Sequence, residues 1–73
     1  MKDKILNIMS EVFELDLASF PEEVTQVNIE DWDSLRHLNL IVELEDAFDV
    51  SYEPEEIAEM ITLEKIIEIT SKK

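Results

Sequence analysis

A chain without a single glycine has few ways to turn sharply, because no residue in it enters left-handed backbone conformations without a steric cost. Only Pro21 and Pro54 interrupt it further. Between these points apolar residues recur at helical spacing. Ile5, Met9, Val12 and Phe13 fall at i, i+4, i+7 and i+8, one face of a first helix of about three turns. Pro54 suits the first turn of a short helix carrying Ile57, Met60 and Ile61. Thr62 suits the N-cap of a last helix with Leu63, Ile66 and Ile67 turned inward. The stretch from Leu15 to Asp33 has no sustained period, and its scattered Phe20, Val24, Val27 and Ile29 predict a long loop packed over the helices.

The segment from Ser34 to Phe48 is different. At about 100° per residue, Arg36, Asn39, Glu43 and Asp46 collect in one narrow polar stripe. Leu40, Ile41, Leu44, Ala47 and Phe48 fill a broad apolar arc roughly opposite. Leu35, Leu38 and Val42 form a second apolar strip beside the stripe, with Glu45 and Asp49 near it. An ordinary surface helix has one apolar face. This one is expected to pack on more than one side, leaving a single ridge for solvent or a partner, as the central helix of a four-helix bundle. The predicted class is therefore all-α, a single domain over residues 1–73, with a long first loop and a short third helix.

Charge narrows the range of functions. Nineteen acidic residues face six basic ones, for a formal net charge of −13. Lys2, Lys4, Lys72 and Lys73 sit at the ends, and Arg36 is the only cation between Ile5 and Glu64. Nucleic acid demands a basic footprint that this chain lacks, and anionic membranes are disfavoured for the same reason. Basic protein surfaces are the favoured partners. The acid also serves solubility without any partner. With no cysteine there is no disulfide and no thiol, so any reactive sulfur must be added after synthesis. One histidine, His37, effectively rules out a zinc-type site. No membrane-length apolar run or signal-peptide pattern is visible, which makes the cytoplasm the expected location.

Ser34 and His37 stand one helical turn apart, the spacing of a nucleophile and its base. Such a pair also needs an orienting group and an oxyanion hole, and no glycine-rich turn is present to build one. Catalysis by the chain itself is not expected; His37 is expected to pack on or beside the apolar arc. Asp31-Trp32-Asp33 opens like a calcium loop, but Leu35, Arg36 and Val42 then occupy positions that need an oxygen ligand, a glycine and a glutamate. Asp33 and Ser34 are both good N-cap residues at the start of the central helix, and capping alone accounts for their identity.

Asp33-Ser34-Leu35, followed by Leu38-Asn39-Leu40-Ile41 and closed by Glu43-Leu44-Glu45-Asp46-Ala47-Phe48, resembles the attachment helix of acyl carrier proteins. The acidic bias, the long first loop and Pro54-Glu55-Glu56 opening a short helix extend the resemblance over essentially the whole chain. It implies a bundle of the acyl-carrier type with 4'-phosphopantetheine carried on Ser34. Ser34 Oγ would attack the pyrophosphate of coenzyme A in a separate phosphopantetheinyl transferase. The phosphate would then lie at a helix N-terminus, where unpaired N–H groups and the helix dipole favour an anion. The arm would end in a thiol that carries acyl groups as thioesters. Asp33 and Leu35 match positions that meet the transferase and other enzymes, and Asn39, Glu43 and Asp46 continue the partner-facing ridge.

Two departures stand out. Trp32 occupies a place where the family often has Gly or Ala; its ring is expected to close the bottom of the loop over the core. Arg36 and Asn39 replace two residues that are often acidic, so partners tuned to an acidic ridge would meet Arg36 as repulsion. This points away from bulk fatty-acid synthesis toward a specialised lipid, polyketide or surface-polysaccharide pathway. The resemblance implies a monomer served by acyl-loading and acyl-transferring enzymes, without membrane insertion. The strip of Leu35, Leu38 and Val42 would be a docking surface or a cavity wall, or else contact the short third helix or the loop. The alternative to a carrier is an unmodified acidic helical adaptor that binds a basic partner surface.

Overall fold

The computed structural model describes the whole chain, Met1–Lys73. Its regular elements are α1 (Lys2–Phe13), α2 (Ser34–Phe48), α3 (Pro54–Glu59) and α4 (Leu63–Ser71), with one 3₁₀ turn at Leu17–Ser19. There is no strand, and the fold is all-α with four helices. No helix is long and apolar enough to cross a membrane.

Periodicity determines which face of each helix is buried. Ile5, Met9 and Phe13 from α1 meet Leu40, Ile41 and Leu44 from α2 and Leu63, Ile66 and Ile69 from α4 in one cluster, closed by Ile29, Trp32, Tyr52 and Met60. Val12, Ile57 and Ile67 pack against its edge. Met60 and Ile61, expected in the short helix with Ile57, fall just beyond its end at Glu59; Met60 is buried in the core and Ile61 is exposed where the backbone turns out of α3 to start α4.

The absence of glycine shows at the helix ends. α1 and α2 both finish in the left-handed region, at Glu14 (φ 53°) and Asp49 (φ 54°), positions that glycine usually takes. In each case the following residue reaches back, Leu15 N–H to Ser10 O and Val50 N–H to Glu45 O, so the end carbonyls are satisfied despite the steric cost.

α1 and α2 run antiparallel. Arg36 near the start of α2 reaches the Val12 carbonyl at the end of α1 (2.8 Å), while Lys4 near the start of α1 reaches the Ala47 carbonyl at the end of α2 (3.1 Å). Neither helix has a basic residue in its own last turn. Each takes its C-terminal cation from its neighbour, where the carbonyl end of the dipole favours positive charge.

The long loop is pinned by backbone bonds. Thr25 and Thr62 form an isolated antiparallel bridge, with Gln26 N–H to Ile61 O (2.8 Å) and Leu63 N–H to Val24 O (2.9 Å). Phe20 and Val24 are half-buried and Ile29 is in the core, as the loop's apolar content predicts. Val27 departs from that expectation: it stands at the turn closed by Asn28 N–H to Thr25 O and is 91% exposed.

A second correction concerns α2. Leu35, Leu38 and Val42 are 69%, 57% and 60% exposed, so the second apolar strip does not pack within the fold. Three other short helices cover the core face of α2 and leave nothing to cover its far side, a limit set by the small size of the chain.

Candidate functional site

α2, the longest helix, begins where the loop, α1 and α3 converge. Asp33 is its N-cap: the backbone is extended there and Oδ1 accepts the Arg36 N–H at 2.8 Å. Ser34 is the first helical residue. It is exposed, and the capping bond belongs to Asp33. The two residues that composition left as equal cap candidates are thus separated. Asp33 holds the helix end; the Ser34 hydroxyl is left for another use.

Leu35 is exposed beside Ser34, and Leu38 and Val42 continue the apolar strip down the helix. Asn39, Glu43 and Asp46 are exposed along the adjacent ridge, as the wheel predicts. Arg36 differs from its expected place. Its guanidinium folds back on α1, with Nη1 donating to Val12 O and Nη2 3.8 Å from Glu14 Oε2. The cation expected to repel partners is engaged within the fold. What the ridge presents is neutral at Asn39 and acidic from Glu43 onward.

The turn that carries Ser34 is held from behind. Trp32 is buried in the core, its ring 5.2 Å from that of Phe13. Its indole N–H donates to His37 Nδ1 at 2.9 Å. His37 Nε2 lies 2.8 Å from the Ile57 carbonyl in α3. An indole nitrogen only donates and a carbonyl only accepts, so His37 must accept on Nδ1 and carry its proton on Nε2. Both ring nitrogens are occupied by these partners, which leaves neither to serve Ser34 as a base. Trp32 closes the bottom of the loop, as expected. That it is bonded to His37 was not legible from periodicity, although a buried indole calls for a nearby acceptor.

Two open grooves mark the surface. One, of about 580 Å³, is lined by Leu6, Leu17, Phe20, Val24 and Leu63 together with polar residues that include Lys2 and Asp3. The other, of about 370 Å³, lies between Glu22–Thr25 and Thr62–Glu64. Neither is lined by any residue of α2, so neither opens at Ser34 and neither has Leu35, Leu38 or Val42 as a wall. No group of three or more His, Cys, Asp or Glu side chains is arranged to hold a metal ion.

The Ser34 site fits an attached phosphodiester in three respects. The hydroxyl is exposed, the fold does not use it as the cap, and it heads a helix in which the Ser34 and Leu35 N–H groups are left unbonded while Asp33 takes that of Arg36. No family model matches the chain, and no curated protein matches it.

Proposed function

We propose that the protein is an acyl carrier protein with a bundle of the acyl-carrier type, modified on Ser34 by 4'-phosphopantetheine. The observation that carries this reading is the division of labour at the head of α2. With Asp33 as the cap, the fold has no use for a hydroxyl at position 34, yet Ser34 stands exposed there next to an exposed leucine. In the modification, Ser34 Oγ forms a bond to the β-phosphorus of coenzyme A, loses its proton, and displaces adenosine 3',5'-bisphosphate. The backbone N–H groups of Ser34 and Leu35, the two that the Asp33 cap leaves free, would face the phosphate that remains on Ser34. When attached, the arm supplies the thiol that the cysteine-free chain lacks, and that thiol holds acyl groups as thioesters.

The rest of the chain's part is recognition. Leu35, Leu38 and Val42 offer apolar contact, and Glu43 and Asp46 offer charge to a basic partner surface. Such partners are a phosphopantetheinyl transferase and enzymes that load or remove acyl groups. Because Arg36 is folded back on α1, the ridge is less hostile to partners of ordinary carriers than its sequence suggests. A specialised pathway therefore rests on Asn39 more than on Arg36. We infer a monomer acting in the cytoplasm.

Intact-mass measurement after co-expression with a broad-specificity transferase tests the proposal. Wild type gains the mass of one phosphopantetheine, and Ser34→Ala gains none. An unmodified wild-type chain under those conditions would overturn the carrier reading and leave the adaptor, which binds its partner equally well with Ser34→Ala.

A further inference from the structure

The chain has one tryptophan and one histidine, and they are bonded to each other across the residue at issue. Trp32 precedes Ser34 by two positions and His37 follows it by three. Through the ring of His37, the turn bearing Ser34 is connected to the carbonyl of Ile57. That carbonyl lies in the last turn of α3, a helix of six residues with no fully buried member. On the other side, Trp32 packs on Phe13 and Arg36 bonds to Val12, which ties the same turn to the end of α1.

We propose that His37 is a positioning residue for Ser34: protonated on Nε2 and accepting on Nδ1, it links Trp32 to α3 and so sets the geometry in which Ser34 meets its modifying enzyme. The proposal rests on the carrier reading above. Its physical basis is the cost of the alternatives. Without an acceptor at position 37 the indole N–H is buried unpaired. Trp32 would then have to move, and it adjoins Asp33, the residue whose carboxylate defines where α2 begins. A shift of the helix start moves Ser34 and Leu35 together. Reaction of an oriented hydroxyl is sensitive to displacements of this size, with about a hundredfold loss for a misplacement near 1 Å.

Three variants separate positioning from bulk stability. His37→Gln keeps one acceptor and one donor on a planar group; His37→Phe keeps a ring and has neither. Trp32→Phe keeps a six-membered ring against Phe13 but removes the donor together with the second ring of the indole, so its stability is measured beside its modification. We expect His37→Phe and Trp32→Phe each to lower kcat/KM for Ser34 modification by about tenfold or more, and His37→Gln to stay within a few-fold of wild type. Nitrogen-15 NMR of the wild type gives one imidazole and one indole signal set. It should show the Nε2–H tautomer and an indole N–H shifted by hydrogen bonding, the latter retained in His37→Gln.

Unchanged modification of His37→Phe and Trp32→Phe, with folding verified by circular dichroism, would overturn the positioning role. An Nδ1–H tautomer or an unbonded indole in the wild type would overturn the link itself. If wild type is not modified at all, the carrier reading and the role of His37 toward Ser34 both fall, while the NMR spectra still decide whether the link exists.

Discussion

At the scale of the residue, the lack of glycine has a measurable cost. Glu14 holds φ at 53° at the end of α1, where a side chain with a Cβ crowds the following carbonyl. Its pairing with Arg36 is long, at 3.8 Å, and its own side chain is 81% exposed, so little is lost with it. Glu14→Gly should therefore raise stability by about 0.5–1 kcal/mol, read as a higher urea midpoint with an unchanged slope. Asp49 occupies the same conformation at the end of α2, but its short side chain tolerates that region better and the gain there should be smaller. The sequence is frank about such residues in one sense only. Helix ends are visible in it, at Asp33 and Thr62, because a cap is a local bond over three residues. Which of Asp33 and Ser34 does the capping was not visible, because either side chain is chemically able to do so.

At the scale of the element, the short third helix depends on contacts that come from elsewhere. α3 starts with a capping box in which Glu53 N–H donates to Glu56 Oε1 at 2.8 Å. Lys73 from the end of the chain donates to the same oxygen at 2.6 Å and lies over the ring of Tyr52. The Glu53 N–H and, after it, Lys73 hold the Glu56 carboxyl below its ordinary value of 4.5. A depressed carboxyl pKa contributes stability that is fully present above the unfolded value and lost as pH falls through the folded one. Lys73→Met should thus melt lower than wild type at pH 7. The gap should begin to narrow near pH 4.5 and close only as pH falls through the lowered folded value, below which Glu56 is protonated in both proteins. A gap that stays constant down to pH 3 would assign the contact no electrostatic role. Tyr52 completes this corner: its hydroxyl bonds to Thr70 at 2.7 Å, and burial, the larger influence, pushes its pKa up.

At the scale of the whole molecule, the cations are placed where the fold needs them and are too few to balance the acid. Lys4 and Arg36 cap helix ends, Lys65 and Lys72 pair with Glu68, and Lys73 pairs with Glu56. The two lysines hold the Glu68 carboxyl below its ordinary value, Lys72 more strongly. With a net charge of −13, the folded chain still repels itself. Raising sodium chloride from about 0.01 to 0.15 M, which shortens the screening length from about 30 to 8 Å, should raise Tm. Millimolar magnesium, a divalent screening ion, should raise Tm as well. A Tm that does not respond to either salt would remove self-repulsion as a limit on stability.

Much of the architecture was legible beforehand. The four helices, the long loop and the core faces of α1, α2 and α4 follow from spacing, because helical periodicity and caps are local properties of the chain. A wheel gives an angle, however, and not what lies at that angle. Leu35, Leu38 and Val42 share an apolar strip on the wheel, and only the packing of the other helices leaves it exposed. Arg36 sits in a polar stripe by angle, and only the antiparallel approach of α1 draws its guanidinium to Val12. The loop is pinned through Thr25 and Thr62, a pairing across more than thirty residues that no local pattern encodes. The sequence by itself determined that Ser34 opens a helix. The tertiary structure decided that Asp33 caps that helix and that Trp32 and His37 tie its first turn to α3. Contacts between distant residues are set by which helix faces compete for a small core, and that competition is resolved only when the whole chain is packed.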